Sequence, residues 1–142
     1  MYWLLRTSIR QINNLIFHYP IAPDTPYPLV AVSDIAVFVA LSFASPDTYL
    51  GKTIELVGHA PTPPQIAASI SRAIGRSISY VQAPIELLRL QNAEIARACE
   101  FLNENHSTVD ISALRKLHPG LMDFETWLQK EGKARFTTLR NE

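Results

Sequence analysis

Residues 62–82, Thr-Pro-Pro-Gln-Ile-Ala-Ala-Ser-Ile-Ser-Arg-Ala-Ile-Gly-Arg-Ser-Ile-Ser-Tyr-Val-Gln, carry the clearest fold signal in the chain, a helix followed directly by a strand. The Thr62 hydroxyl can accept from the amide of Gln65 while the glutamine side chain reaches back, and proline suits the first helical position. Gly75 is placed to end this helix in the left-handed conformation. Polar and apolar residues then alternate over residues 77–82, which predicts a strand. The segment therefore predicts a mixed α/β fold.

The segments that precede this unit extend the same pattern. Residues 29–32 have the composition of a buried strand, and Ser33 follows as a helix cap with Asp34 in the positively polarised first turn. We expect this helix to run to about Phe43 and, because it is apolar on nearly every side, to pack against more than one neighbour. Residues 52–57 alternate between polar and apolar, which predicts a strand with one buried face.

The remaining segments complete a chain of short strands and helices. They are an amphipathic helix over residues 3–16, a strand over 17–21, a proline-rich loop over 22–28, a long helix that begins at Pro84 and ends near 103–107, and two short helices over 111–117 and 124–130. We therefore expect an α/β chain, close to an α+β fragment, with about five or six helices. A length of 142 residues is that of one ordinary domain, so residues 1–142 are interpreted as a single domain.

Composition argues against several classes of function. Lys and Arg number 13 and Asp and Glu number 13, so neither nucleic acid nor an anionic membrane is expected as the main partner. The single cysteine, Cys99, cannot form an internal disulfide, which favours a cytoplasmic location. The longest apolar run, residues 35–44, is far shorter than the roughly 20 residues that span a bilayer. Residues 1–6 also lack the apolar core of a signal peptide.

None of the residue patterns required for dinucleotide, acid–base or metal chemistry is complete in this sequence. A dinucleotide site needs a glycine-rich loop between a strand and a helix, whereas the glycines are isolated, at positions 51, 58, 75, 120 and 132. Tyr49 and Lys52 lack the spacing of a Tyr-x-x-x-Lys pair, and Cys99 lies on an apolar helix stripe that is typical of core. The histidines, at positions 18, 59, 106 and 118, are too widely separated to predict a metal site. We therefore assign no catalytic, cofactor-binding or metal-ligating residue.

A group of aromatic residues near the N-terminus has two interpretations. Its members are Tyr2, Trp3, Phe17, Tyr19 and Tyr27, with His18 among them. Either these side chains close a core between the first helix and the proline-rich loop, or they line an apolar cleft for a small-molecule ligand. The core interpretation is the favoured one. For the second interpretation the candidate cleft residues are Trp3, His18, Tyr19 and Tyr27.

Four stretches of the sequence resemble the NmrA-like branch of the atypical short-chain dehydrogenase/reductases. They are residues 28–36, 49–58, 62–67 with 72–75, and 117–128, within a resemblance that extends from about Tyr2 to Leu139. Proteins of this family pair an N-terminal Rossmann domain, which holds NAD(P), with a smaller C-terminal region on the substrate side. This sequence resembles only the C-terminal region. The resemblance therefore implies NAD(P) for the full-length family, while the missing glycine fingerprint implies that this chain alone binds no cofactor.

The resemblance leaves three functions open. The chain is a separated C-terminal region that is inactive alone, part of an NAD(P)H-dependent oxidoreductase completed by a Rossmann half, or a regulatory module that senses NADP(H) through protein contacts. The resemblance does not decide whether the chain contributes to an enzyme. A region without its N-terminal half leaves apolar surface and a strand edge uncovered, which predicts either a homo-oligomer or a Rossmann domain as the partner.

Overall fold

The computed structural model describes residues 15–105, 108–132 and 136. In chain order they form β1 (Leu15–Tyr19), α1 (Val32–Ala44), α2 (Pro46–Tyr49), α3 (Pro63–Ile74), β2 (Ile78–Gln82), α4 (Ile85–Gln91), α5 (Ala93–Glu104), α6 (Ile111–Leu117), α7 (Phe124–Trp127) and a π-helical turn (Leu128–Gly132). The predicted mixed α/β class is confirmed. The described part contains more helices than predicted because a short helix follows α1 and the predicted long helix is divided.

The centre of the fold is the unit of β1, α3 and β2. The two strands pair in parallel, with Leu15 opposite Ile78 and Tyr19 opposite Gln82. Helix α3 begins with the predicted capping box, ends at Gly75 with φ of 71°, and buries its apolar stripe in the main core. This helix was predicted correctly because every signal for it is local: two caps, a proline and one apolar face.

The N-terminal prediction needs a correction at the boundary between helix and strand. The predicted helix over residues 3–16 lies outside the described residues as far as residue 14, and its last two positions, Leu15 and Ile16, belong to β1. The strand was predicted over residues 17–21 but ends at Tyr19. Pro20 explains this end, because proline has no N–H to donate to a ladder.

Two predicted strands are not strands in the described part of the chain. Over residues 29–32 there is a single antiparallel bridge, between Leu29 and His59, and α1 already begins at Val32 with Ala31 in the cap position. Ser33 is therefore not the cap, and its hydroxyl donates to the Glu131 carboxylate over 2.8 Å. Residues 52–57 alternate in burial only over residues 53–56, and they join no ladder. A pattern in one segment predicts its conformation but cannot supply its partner strand.

The long helix predicted from Pro84 is divided at Asn92. The Asn92 side chain accepts from the amides of Glu94 and Ile95, at 3.1 and 3.0 Å, and so caps α5. Helices α4 and α5 then pack against each other and are joined by an ion pair between Arg89 and Glu100. The division follows from asparagine chemistry, since a short amide side chain favours caps over helix interiors.

The C-terminal helices close the core. Helix α6 matches its prediction, whereas the second predicted helix, over residues 124–130, is α-helical only to Trp127 and continues as the π-helical turn. Phe124, Trp127 and Leu128 are among the most deeply buried side chains of the main core. Within the described ranges we find no helix with the length and hydropathy that crossing a membrane requires.

Candidate functional site

Two of the four predicted cleft residues meet inside the core. The rings of Tyr19 and Tyr27 lie 5.6 Å apart, their hydroxyl oxygens are separated by 3.5 Å, and they are 6% and 3% exposed. His18 points from the opposite, exposed face of β1, where its register partner is Val81. Trp3 lies outside the described residues. The structure thus brings Tyr19 and Tyr27 together and separates them from His18.

The chemistry of this aromatic group is that of neutral hydrogen-bond donors. Burial raises the pKa of the Tyr19, Tyr27 and Tyr80 phenols above their usual value. The Tyr80 hydroxyl donates to the backbone carbonyl oxygens of Tyr19, at 2.6 Å, and of Ile21. Cys99 is buried beside them, and burial raises the pKa of its thiol as well. These groups are held in their protonated forms at neutral pH and are arranged to stabilise the core.

A larger open feature lies along α1. A groove of about 550 Å³ runs between α1 and the chain that follows it as far as Leu56. Its lining is mostly apolar, and Lys52 is the one charged residue among the residues that line it. Phe43 and Leu50 at its edge are 82% and 85% exposed. Only Asp34 and Phe38 of α1 are buried within the described part, so the prediction that α1 packs on more than one side is wrong there.

Helix α1 is anchored by a buried carboxylate that the sequence did not reveal as such. Asp34 is 3% exposed. Its Oδ1 lies 2.9 Å from His118 Nε2, and its Oδ2 accepts from the Met122 amide at 3.0 Å. Asp34 lies in the first helical turn, as predicted. No local pattern indicates its two contacts, because they join residues more than 80 positions apart.

A second histidine stands where residues 57–59 meet the segment that closes the core, residues 121–132, here called the closing segment. The Nδ1 of His59 accepts from the Phe124 amide at 3.3 Å. Burial lowers the pKa of His59, the carboxylate of Asp123 opposes this shift, and Arg115 adds to it. Asp123 Oδ1 accepts from the Thr126 amide at 2.8 Å, which lowers the pKa of Asp123.

Close backbone contact at this junction depends on a glycine. A β-carbon at Gly58 would lie 2.4 Å from the carbonyl oxygen of Met122, so no other residue fits without a shift of the backbone. The carbonyl oxygen of Gly58 also accepts from Arg115 Nη2 at 3.3 Å. Gly58 therefore serves the packing of the closing segment.

Among the described residues, metal-ligand groups are absent and the arginine found in one pocket already has an ion-pair partner. Across residues 15–105, 108–132 and 136, no three His, Cys, Asp or Glu side chains form a group able to hold a metal ion. A smaller pocket of about 320 Å³ contains Arg72, but the guanidinium pairs there with Glu125 on the surface. The described part also has no glycine-rich loop between a strand and a helix, since Gly51 and Gly75 stand alone in a turn and at a helix end.

Comparison with known proteins places this α/β chain in a family. A model described as the NmrA-like family matches residues 1–128. The chain belongs to the NmrA-like family. The resemblance seen in the sequence is thereby confirmed.

Relatives of this NmrA-like chain are longer than the chain itself. The nitrogen metabolite repression protein nmrA of Emericella nidulans is 32% identical over 85 residues, which are 58% of this chain and 24% of that protein. A crystal structure of NmrA, a negative transcriptional regulator, in complex with NAD gives a TM-score of 0.67 at 24% identity. A second NmrA structure, in complex with NADP, gives 0.64 at 22% identity. Both matches cover 89% of this chain and 46% of the solved chain. They show the same fold, and the chain spans about half of it.

Proposed function

We propose that this chain is the C-terminal, substrate-side region of an NmrA-like protein and that it acts only together with a Rossmann half that holds NAD(P). The chain corresponds to 46% of NmrA structures that are described in complex with NAD and with NADP. The glycines at positions 51, 58 and 75 serve a turn, a close packing contact and a helix end. On this proposal residues 1–142 form one domain whose partner contributes the whole pyrophosphate site.

The observation that carries the proposal is the uncovered surface of α1 and of the chain that follows it. Three apolar side chains of α1, Val32, Val39 and Phe43, are exposed by 68%, 49% and 82%. Residues 52–57 join no ladder within the described residues. A soluble protein rarely leaves a contiguous apolar groove uncovered unless another element packs against it. We assign this face to the Rossmann half.

The names of the relatives favour a regulatory role over a reductase role for the complete protein. The Emericella nidulans relative is a nitrogen metabolite repression protein, and the NmrA of the crystal structures is a negative transcriptional regulator. On this second proposal the bound dinucleotide is sensed and reported through protein contacts. The competing function is an oxidoreductase completed by the Rossmann half. The DNA upstream of the Met1 codon shows whether such a half is encoded with this chain. An in-frame segment that encodes a Rossmann domain would support either function over an inactive fragment.

The assignment of the α1 face to the Rossmann half can be tested with separately produced parts. The chain is mixed with a Rossmann half, and both complex formation and NADP binding are measured. That half is taken from the upstream coding segment or, failing that, from the Emericella nidulans relative. Phe43→Glu places a charge in the apolar groove, and Leu90→Glu is the matched control because Leu90 on α4 is similarly exposed, at 87%. We expect wild type and Leu90→Glu to form a complex that binds NADP, and Phe43→Glu to lose complex formation. Equal behaviour of the two variants would refute the assignment of the α1 face.

A further inference from the structure

His59 accepts a hydrogen bond that only a neutral imidazole can accept. Its backbone is fixed by the bridge to Leu29, with the Leu29 amide donating to the His59 carbonyl oxygen at 2.8 Å. Its Nδ1 faces the amide of Phe124, a residue that is 1% exposed, at 3.3 Å. A histidinium carries a proton on both ring nitrogens. Protonation of His59 would therefore place a ring N–H group against the N–H group of Phe124, where the two segments are closely packed.

The charged groups around His59 come from two elements. Arg115 of α6 disfavours a second positive charge, and its guanidinium is held near the ring because it donates to the Gly58 carbonyl oxygen. Asp123 and Glu125 of the closing segment favour the charge. Burial is the largest influence and lowers the pKa of His59 below its ordinary value. The neutral form is thus the one that this packing stabilises.

His118, which precedes the closing segment, makes a contact of the opposite kind. His118 Nε2 lies 2.9 Å from Asp34 Oδ1, and Asp34 Oδ2 accepts from the Met122 amide at 3.0 Å. An imidazole with its proton on Nε2 donates to this carboxylate, and an imidazolium does so as well. The contact of His118 therefore needs a donor on its ring, whereas the contact of His59 with Phe124 needs an acceptor.

We propose that His59 is a pH-sensitive latch whose protonation weakens the attachment of residues 123–132 to the core, while the Asp34 contacts retain residues 118–122. The weakened part carries Trp127 and Leu128, which are both 2% exposed in the closed form. These two side chains belong to the same core cluster as Tyr19 and Tyr27, so each opening of this segment admits water to that core. The latch is thus a device by which mild acid makes this local opening more frequent without unfolding α3. It does not depend on the proposed Rossmann partner.

Hydrogen exchange measured by mass spectrometry on the 142-residue chain tests the latch. Exchange is followed at pH values of about 7.5 and about 5.5, which bracket the ordinary pKa of histidine, and is corrected for the intrinsic rate. Because one proton changes an opening constant by at most about tenfold per pH unit, we expect protection of residues 123–132 to fall roughly three- to tenfold. Protection of α3 should not change. Equal loss in α3 would mean general unfolding and would overturn the proposal.

Two variants separate the histidines. His59→Asn places an amide oxygen near the position of Nδ1 and removes the titration, so its closing segment should keep its protection at both pH values. His118→Gln keeps a donor near the position of Nε2 and should retain the pH response of the wild type. A wild-type response in His59→Asn, or its loss in His118→Gln, would overturn the proposal. If His59→Asn fails to fold, the titration of the His59 ring in the wild-type chain is followed by NMR. Its midpoint must equal the midpoint of the pH-dependent loss of protection in residues 123–132, and a different midpoint would also overturn the proposal.

Discussion

Replacing Asp34 with alanine removes both acceptors that tie α1 to residues 118–122. One carboxylate oxygen lies 2.9 Å from His118 Nε2 and the other accepts from the Met122 amide at 3.0 Å. Hydrogen bonds to a charged group contribute about 1.5–3 kcal/mol each. The cost of burying the carboxylate offsets part of this sum, because alanine has no charge to desolvate. We therefore expect a loss of about 3 kcal/mol in the free energy of unfolding.

Urea denaturation followed by circular dichroism measures this loss. For an m value of about 2 kcal/mol/M, the midpoint should fall by about 1.5 M. Asp34→Asn is the matched variant: its amide oxygen can accept from Met122, and its amide group can donate to His118 in the other tautomer, so we expect a loss of about 1 kcal/mol or less. Asp24→Ala, at an exposed loop position, should stay within about 0.5 kcal/mol of wild type. An Asp34→Ala midpoint equal to that of Asp24→Ala would refute the anchoring role.

Two further predictions concern packing and alkaline stability. Gly58→Ala should destabilise the chain by about 2–3 kcal/mol in the same urea assay, because the added β-carbon would lie 2.4 Å from the Met122 carbonyl oxygen. An unchanged midpoint of urea denaturation would contradict this close contact. Burial raises the pKa of Tyr19, Tyr27 and Tyr80. The contribution of these phenols to stability is therefore complete below the ordinary pKa of about 10 and is lost as the pH rises above that value. Absorbance at about 295 nm should show the three phenols ionising only when the chain unfolds, and reversible ionisation in the folded chain would contradict this prediction.

The parts of the fold that sequence predicted are those whose causes lie within one segment. The capping box at Thr62 and the left-handed Gly75 bound α3 with signals only a few residues long. The cap at Asn92 was also visible in principle, but the apolar spacing on both sides of it outweighed one polar residue in the prediction. Local signals therefore located most helices, and errors remained where two such signals competed.

The parts that sequence could not predict depend on distant partners. Residues 52–57 alternate as a strand does, but nothing in that pattern states whether a second strand lies beside them. Asp34 carries the same first-turn signal whether it faces water or, as here, His118 and the Met122 amide. His59 likewise gained its role only from the approach of Phe124. The candidate sites are products of long-range packing, and a single sequence does not record which segments meet.

On the function proposed above, this chain contributes the substrate side of an NmrA-like protein and holds no dinucleotide by itself. Calorimetric titration of NADP into the 142-residue chain tests this proposal, with full-length NmrA as the positive control. We expect no saturable heat at NADP concentrations up to about 1 mM, so that any binding free energy is weaker than about 4 kcal/mol. A dissociation constant in the micromolar range for this chain alone would contradict it.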